Sequence, residues 1–304
     1  MNDLLERMKN HTFKGFTIFK GVIEGGIEGF KQRNCIMDKI HWNSFYLSMY
    51  KHLLGDATNA ILKKIGEDYG KEIFAMIQEK FRVDTNTVFL FILQNLEKLG
   101  WGAFRNAKID TDRKEITVEL HNSNEAYNAE IPSCYHVKGI LRGIGKSVLG
   151  DNIVVREIEC IAKGDKICKF ILGDKSIVPD LFDQDTIAKL IKILQELKRT
   201  IKSSVELIAT TDGRPIISNL SEEIDSVLWT TIISVVLAGG KKSSKYIDND
   251  NLKEIIINAE KGTIIASLVK EDILIAVTVG PDTSPGLAGL AVKKAKDQII
   301  DLLK

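Results

Sequence analysis

Cys134, Cys160 and Cys168 lie in one stretch of the chain, and Glu157 stands three residues before the second of them. Thiolates are soft ligands and a carboxylate is a hard one. Three thiolates with one carboxylate make four donors, the closed number for structural Zn²⁺, and thiolates favour zinc over magnesium or calcium. Such a site leaves no position open for water, so it would staple the fold rather than catalyse. The alternative is three reduced core cysteines sharing a neighbourhood. Clustered cysteines in a cytosolic chain point to metal before disulfide. The carboxylate is ambiguous. Strand alternation puts Glu157 on the face opposite Cys160, so a local bulge or twist is needed for it to join. Glu159 is the other choice, also on the opposite face. His136, two residues after Cys134, is a further possible ligand. Cys35 stands apart and reads as a small buried hydrophobe.

These donors need a helix and a hairpin to bring them together. Residues 133–149 have helical spacing, with Pro132 at the start and Gly150 at the end. Strands are expected over 153–162 and 167–172, with the turn at 163–166. Cys160 then closes one strand, Cys168 opens the next, and Cys134 sits in the first helical turn. Upstream, the glycine-rich residues 11–40 read as short strands or an irregular cover. From Trp42 to Phe81 the apolar residues Phe45, Met49, Leu53, Ala57, Ile61 and Ile65 recur at helical spacing, interrupted at Gly55-Asp56. A second helix spans 84–99, with Asp84 or Thr85 as N-cap. Strands follow over 101–109 and 115–121 around the turn 110–114. The class is α+β, with helices first and an antiparallel sheet later.

The polar, proline-containing stretch 173–184 marks a boundary, giving domains 1–175 and 185–304 with a linker over 176–184. Beyond it, Asp185 is the expected N-cap of a helix whose stripe is Ile187, Leu190, Ile191, Leu194, Leu197 and Ile201. Two strands flank the turn Thr211-Asp212-Gly213-Arg214. A helix over 221–237 should stop at Gly239-Gly240. Strands over 254–259, 263–269 and 273–279 precede a last helix over 287–303. The order of this half is α-β-β-α-β-β-β-α.

The 304 residues carry a formal net charge of +1, so no overall field draws the chain to nucleic acid or an acidic membrane. The first ten residues are charged and lack the apolar region of a signal peptide, and no apolar run is long enough to span a bilayer. The expected compartment is the cytoplasm. Catalytic motifs fail one by one. Gly143–Ser147 (GIGKS) lacks P-loop spacing and falls inside a predicted helix, and no GxGxxG after a strand, GxSxG or HExxH occurs. The five histidines form no recognisable pair with a carboxylate. The loop 280–289 opens a helix and reads as a capped connection. No helix-turn-helix or basic arm is visible.

Two resemblances sharpen this reading. LHNSNEA (120–126), Cys134 with its helix, and REIECIAKGDKICKFILG (156–173) resemble the 4-vinyl reductase (4VR) domain, which also serves as the aromatic-effector sensor of certain bacterial transcription activators. The resemblance extends over 15–175 and is specific in its last third. It implies a fold like that of the TRAPP vesicle-tethering subunits, and zinc held by Cys134, Glu157, Cys160 and Cys168, favouring Glu157 over Glu159. Those sensors carry a tryptophan where this chain has Leu120, which argues against a phenol-like ligand. An apolar pocket lined by Phe89, Phe91, Trp101 and Leu120 remains for another small molecule, although each reads singly as a core residue. The C-terminal half, through VELIATTDGRPIIS and its element order, resembles the roadblock (dynein light-chain) superfamily. That likeness implies a sandwich that dimerises with itself or a roadblock partner through its middle helix, here Asp225, Leu228, Ile232, Val235 and Val236. It also implies a platform for a small Ras-like GTPase. The expectation is a non-enzymatic cytosolic signalling or trafficking adaptor. The alternatives are a tetrapyrrole vinyl-reductase-related enzyme and an effector-responsive regulator.

Overall fold

The computed structural model describes residues 17–19, 22–24, 45–127, 129, 134–174, 181–221, 224–248 and 252–304. Cys35, most of 11–40 and most of the 176–184 linker lie outside the described residues. Two compact units are present, one built on Ile65–Val178 and the other on Tyr46–Lys64 together with Pro179–Lys304.

In the first unit, β1 (Thr17–Phe19) and β2 (Val22–Glu24) form a short antiparallel pair. The main sheet has the order β3-β4-β6-β5, all antiparallel, from β3 (Ala103–Asp110), β4 (Glu115–His121), β5 (Ile153–Glu159) and β6 (Cys168–Asp174). Three helices supply the rest: α1 (Ala57–Phe81), α2 (Thr85–Lys98) and α3 (Tyr135–Leu149). The break expected at Gly55-Asp56 is observed, with Gly55 at φ +53° after a π-helical turn, Met49–Leu54. Asp84 caps α2, its side chain accepting from Thr87 N at 2.9 Å. Ile116, Val118 and Leu120 alternate inward from β4 and meet Phe89, Ile92, Ile140 and Ile144 in one core.

α1 and α3 pass at backbone contact in this unit. A Cβ at Gly66 would run into the His136 carbonyl oxygen, and one at Gly143 would run into that of Glu67. The close approach sets the Glu67 carboxylate against Arg142 and Lys146 of α3, with Lys146 Nζ at 2.8 Å. Burial alone would raise the Glu67 pKa. The Arg142 guanidinium and Lys146 ammonium outweigh it and bring the value down to about 2.

The second unit has the expected order α-β-β-α-β-β-β-α, here α4 (Gln184–Ile201), β7 (Val205–Thr210), β8 (Pro215–Asn219), α5 (Ser226–Tyr246), β9 (Ile255–Ala259), β10 (Gly262–Leu268), β11 (Ile273–Val279) and α6 (Pro285–Leu302). Its antiparallel sheet runs β8-β7-β11-β10-β9. Central β11 is apolar on both faces. Ile273, Ile275 and Val277 pack with Leu190, Leu194 and Ile299 of α4 and α6. Leu274 and Ala276 face the opposite way, into the core that holds Ile233 and Leu237 of α5. Sequence expectation and structure differ at two ends. α4 is capped by Asp183 rather than Asp185, because the Asp183 side chain accepts from Thr186 N at 2.7 Å. α5 continues through Gly239-Gly240 to Tyr246, since a Cβ at Gly240 would meet Ile255 Cδ1 at 2.5 Å. That glycine admits β9 rather than ending the helix.

The segment Tyr46–Lys64 clusters with this second unit, whereas the boundary read from sequence placed everything to residue 175 in one domain. Polar contacts account for the difference. Lys63 Nζ lies 2.7 Å from Asp212, Lys64 Nζ lies 3.2 Å from Asp225, and Thr211 Oγ1 donates to Asp56 at 3.2 Å. Gly213, at φ +84°, leaves room for Ala60.

Candidate metal centre

Ligand atoms of Cys134, Glu157, Cys160 and Cys168 all lie within 4.8 Å of one another. Three elements deliver them. Cys134 is the N-cap of α3, Cys160 follows β5 at the head of a short 3₁₀ turn (Ile161–Lys163), and Cys168 opens β6. Gly164 closes that turn in the left-handed region at φ +97°. The Asp165 carboxylate accepts from Cys160 N at 2.8 Å and holds the turn shut.

The pairing register settles which carboxylate joins. Glu157 stands opposite Phe170 and Glu159 opposite Lys169, so Ile158 is an extra residue on β5. Phe170 and Cys168 are buried on one face of β6. The bulge therefore keeps Glu157 on the inner face with the sulfurs and turns Glu159 to the other side. His136 is not among the four; its ring packs against Trp101, centroids 4.9 Å apart.

The three sulfurs are buried and crowded, with Cys134 Sγ 3.5 Å and Cys160 Sγ 4.0 Å from Cys168 Sγ. Ile161 N donates to Cys168 Sγ at 3.4 Å. Hydrogen bonding to Cys160 and Cys168, together with burial, pushes the Cys134 thiol up. Cys160, which accepts from Cys134 and Cys168, is pulled well below the usual thiol range. Glu157 is more telling. Neither carboxylate oxygen has a hydrogen-bond partner, and burial raises its pKa to about 7 against the pull of Lys138. The Lys138 ammonium, 3.2 Å from Oε2, is its ion-pair partner. An ionisable group without hydrogen bonds is costly inside a protein unless something else ligates it. These donors fit a thiophilic metal cation.

Of the proposed pocket residues, Phe89, Phe91 and Leu120 are fully buried in the core of this unit, and Trp101 packs partly buried against it. In the second unit, Leu228 and Ile232 are exposed on α5 at 42% and 49%, Val235 and Val236 are half-buried, and Asp225 caps the helix, accepting from Val227 N and Leu228 N. The edge strand β9 adds Ile256 and Ile257, also exposed.

Sequence reasoning missed two further polar residues beside the cluster. Ser123 Oγ lies 3.4 Å from Cys134 Sγ, and the Glu125 carboxylate accepts from His136 N and Val137 N at 3.0 and 2.8 Å. Burial raises the Glu125 pKa to about 8, partly offset by those two bonds. Both residues stood in LHNSNEA, where they served only as a mark of resemblance.

Residues 115–174 match the model of the 4-vinyl reductase (4VR) domain family. An uncharacterised protein of Methanocaldococcus jannaschii is 35% identical over 65 residues, which is 21% of this chain and 35% of that protein's own length. Among solved structures, the phenol-responsive sensory domain of the transcription activator PoxR, with phenol, aligns at 16% identity and TM-score 0.46, covering 63% of this chain and 96% of that one. MglB of Myxococcus xanthus aligns at 18% identity and TM-score 0.39, covering 41% of this chain and 94% of that one. Among the described residues, no helix is long and apolar enough to cross a membrane.

Proposed function

Starting from a 4VR domain joined to a roadblock-type unit, we propose that the chain is a non-enzymatic signalling or trafficking adaptor. Its first unit holds a structural zinc ion and takes up an apolar small molecule among Phe89, Phe91, Trp101 and Leu120. Its second unit self-associates, or pairs with another roadblock-type chain, and offers that platform to a small Ras-like GTPase.

The convergence of Cys134, Glu157, Cys160 and Cys168 carries the reading. A tetrahedral zinc ion with Zn–S of about 2.3 Å has S···S edges of about 3.8 Å. The sulfur separations of 3.5 and 4.0 Å bracket that value. With all four positions filled by protein, the ion would pin α3 to the β5–β6 hairpin and leave no coordination site for chemistry. Lys138 would offset the surplus negative charge of the loaded site. Support for the platform is the continuity of exposed apolar side chains from α5 (Leu228, Ile232) to the open edge of β9 (Ile256, Ile257).

Native mass spectrometry of the full chain tests both halves. The expected result is one zinc per chain at twice the chain mass. Ile232→Asp should halve the mass and keep the zinc. A monomer with no stoichiometric metal overturns the reading, and reductant-dependent turnover of a vinyl tetrapyrrole overturns its non-enzymatic part.

A further inference from the structure

An N-cap residue normally spends its own side chain on the helix, accepting from the backbone N–H two or three residues on. Asp84, Asp183 and Asp225 do this for α2, α4 and α5. Cys134 occupies the same position on α3 and makes no such bond. Left there, the first-turn donors of His136 and Val137 would be unsatisfied in a buried place.

Glu125 supplies what Cys134 does not. Its two oxygens accept separately from His136 N and Val137 N, the N2 and N3 donors that an N-cap side chain ordinarily serves. The carboxylate is 1% exposed and lies at the positive end of the helix dipole. Ser123, two residues earlier and also buried, accepts from Ala126 N at 3.3 Å and sits 3.4 Å from Cys134 Sγ. With Oγ already accepting, its hydroxyl hydrogen is directed to the sulfur.

We infer that Ser123 and Glu125 are positioning residues for the metal site. Glu125 caps α3 from outside so that the Cys134 side chain is released to ligate, and Ser123 holds the freed sulfur by a hydrogen bond. This inference rests on the metal reading above. It assigns the Ser-x-Glu pair to the ligand shell around Cys134 rather than to a bound organic molecule. Partners of this kind around metal ligands typically change affinity by about 10- to 100-fold when removed.

The test uses the full-length chain loaded with zinc or cobalt. Zinc affinity is measured by competition with a chromophoric chelator. Glu125→Gln, which keeps one acceptor oxygen and turns an NH₂ group toward the other donor, should weaken zinc by about tenfold or more. Ser123→Ala should weaken it less and move the thiolate-to-cobalt charge-transfer band to longer wavelength, a signature that loss of stability alone does not produce. Ser123→Thr should restore the band. Glu67→Gln serves as the control. It loosens the α1–α3 crossing without touching the first turn of α3, so it should lower the melting temperature and leave zinc affinity within about twofold, well short of the change expected for a ligand-shell partner. If the wild-type chain binds no zinc, the metal reading falls and takes this inference with it. If the wild type binds one equivalent, while Ser123→Ala leaves affinity and cobalt spectrum unchanged and Glu125→Gln leaves affinity unchanged, the metal reading stands and this inference alone is overturned. Should Glu125→Gln not fold, the Ser123→Ala band shift decides.

Discussion

In the first unit, ionisable side chains sit where apolar ones are the rule; in the second, apolar side chains sit where charged ones are. Glu67, Glu125 and Glu157 are buried with three cysteine sulfurs between the helices and sheet of one core, while Leu228, Ile232, Ile256 and Ile257 face outward from α5 and β9. The two inversions point in opposite directions. A buried charge needs its partner inside the fold, and the first unit supplies cations for Glu67, backbone N–H groups for Glu125 and, for Glu157, the geometry of a metal site. An exposed apolar stripe finds its partner outside. One unit is therefore a site that completes itself by ligation, and the other a surface that completes itself by association.

The largest effect should come from breaking the first kind of completion. Cys160→Ser removes a ligand between the two others on a hairpin that the metal would pin. Loss of the metal's contribution should cost about 5 kcal/mol or more. At roughly 2–4 °C per kcal/mol for a unit of this size, the melting temperature should fall by about 10 °C or more. Treating the wild type with a strong chelator should reproduce that shift, and the variant should no longer respond to the chelator. Equal melting of variant and wild type in zinc-containing buffer would show that the sulfurs are ordinary core groups.

Next in size is the cation cage around Glu67. Glu67→Gln leaves Arg142 and Lys146 facing a neutral amide and should cost about 3 kcal/mol at neutral pH, measured by denaturant unfolding. The pH dependence has a definite sign. The folded-state pKa of about 2 lies below the ordinary 4.5, so the native carboxylate holds its proton less tightly than the unfolded one. Its stabilisation is complete above about pH 4.5 and drains away as the pH falls toward 2. The gap between wild type and Glu67→Gln should close across that window. A gap that stays constant from about pH 5 to about pH 2.5 would mean that packing, not charge, sets the cost.

Much of this was legible in the sequence. Alternation located β4 and β11 at their observed bounds, and the cysteine spacing named the right four ligands once the resemblance was added. The rest was hidden for physical reasons. Nothing in Arg-Glu-Ile-Glu-Cys announces a bulge, because no glycine or proline marks it, yet the extra residue Ile158 decides which glutamate faces the sulfurs. Glu125 acts on a helix that begins ten residues later, a contact with no local periodicity to betray it. Gly239-Gly240 read as a helix stop because glycine serves that purpose often, but here one of the pair makes space for a strand that arrives from later in the chain. Local patterns report the faces of single elements. They do not report where two elements must nearly touch.

The same residue type can therefore probe both regions at once. Gly143 of α3 and Gly239 of α5 are both helical glycines. At Gly143 a Cβ would collide with the Glu67 carbonyl oxygen, and the nearest atoms all belong to backbone, so α1 and α3 would have to part. Gly143→Ala should destabilise the first unit by about 3 kcal/mol, the upper part of the range for overpacking. At Gly239 nothing lies within 4 Å of the added atom. Gly239→Ala should stabilise α5 by about 0.5–1 kcal/mol, because alanine loses less backbone freedom in a helix than glycine does. Thermal melting of the two variants should shift in opposite directions. If Gly239→Ala instead destabilises, and does so only at protein concentrations where the chain self-associates, then the α5 face is in contact with a second copy at that position, and the outward-facing stripe extends from Ile232 to the middle of the helix.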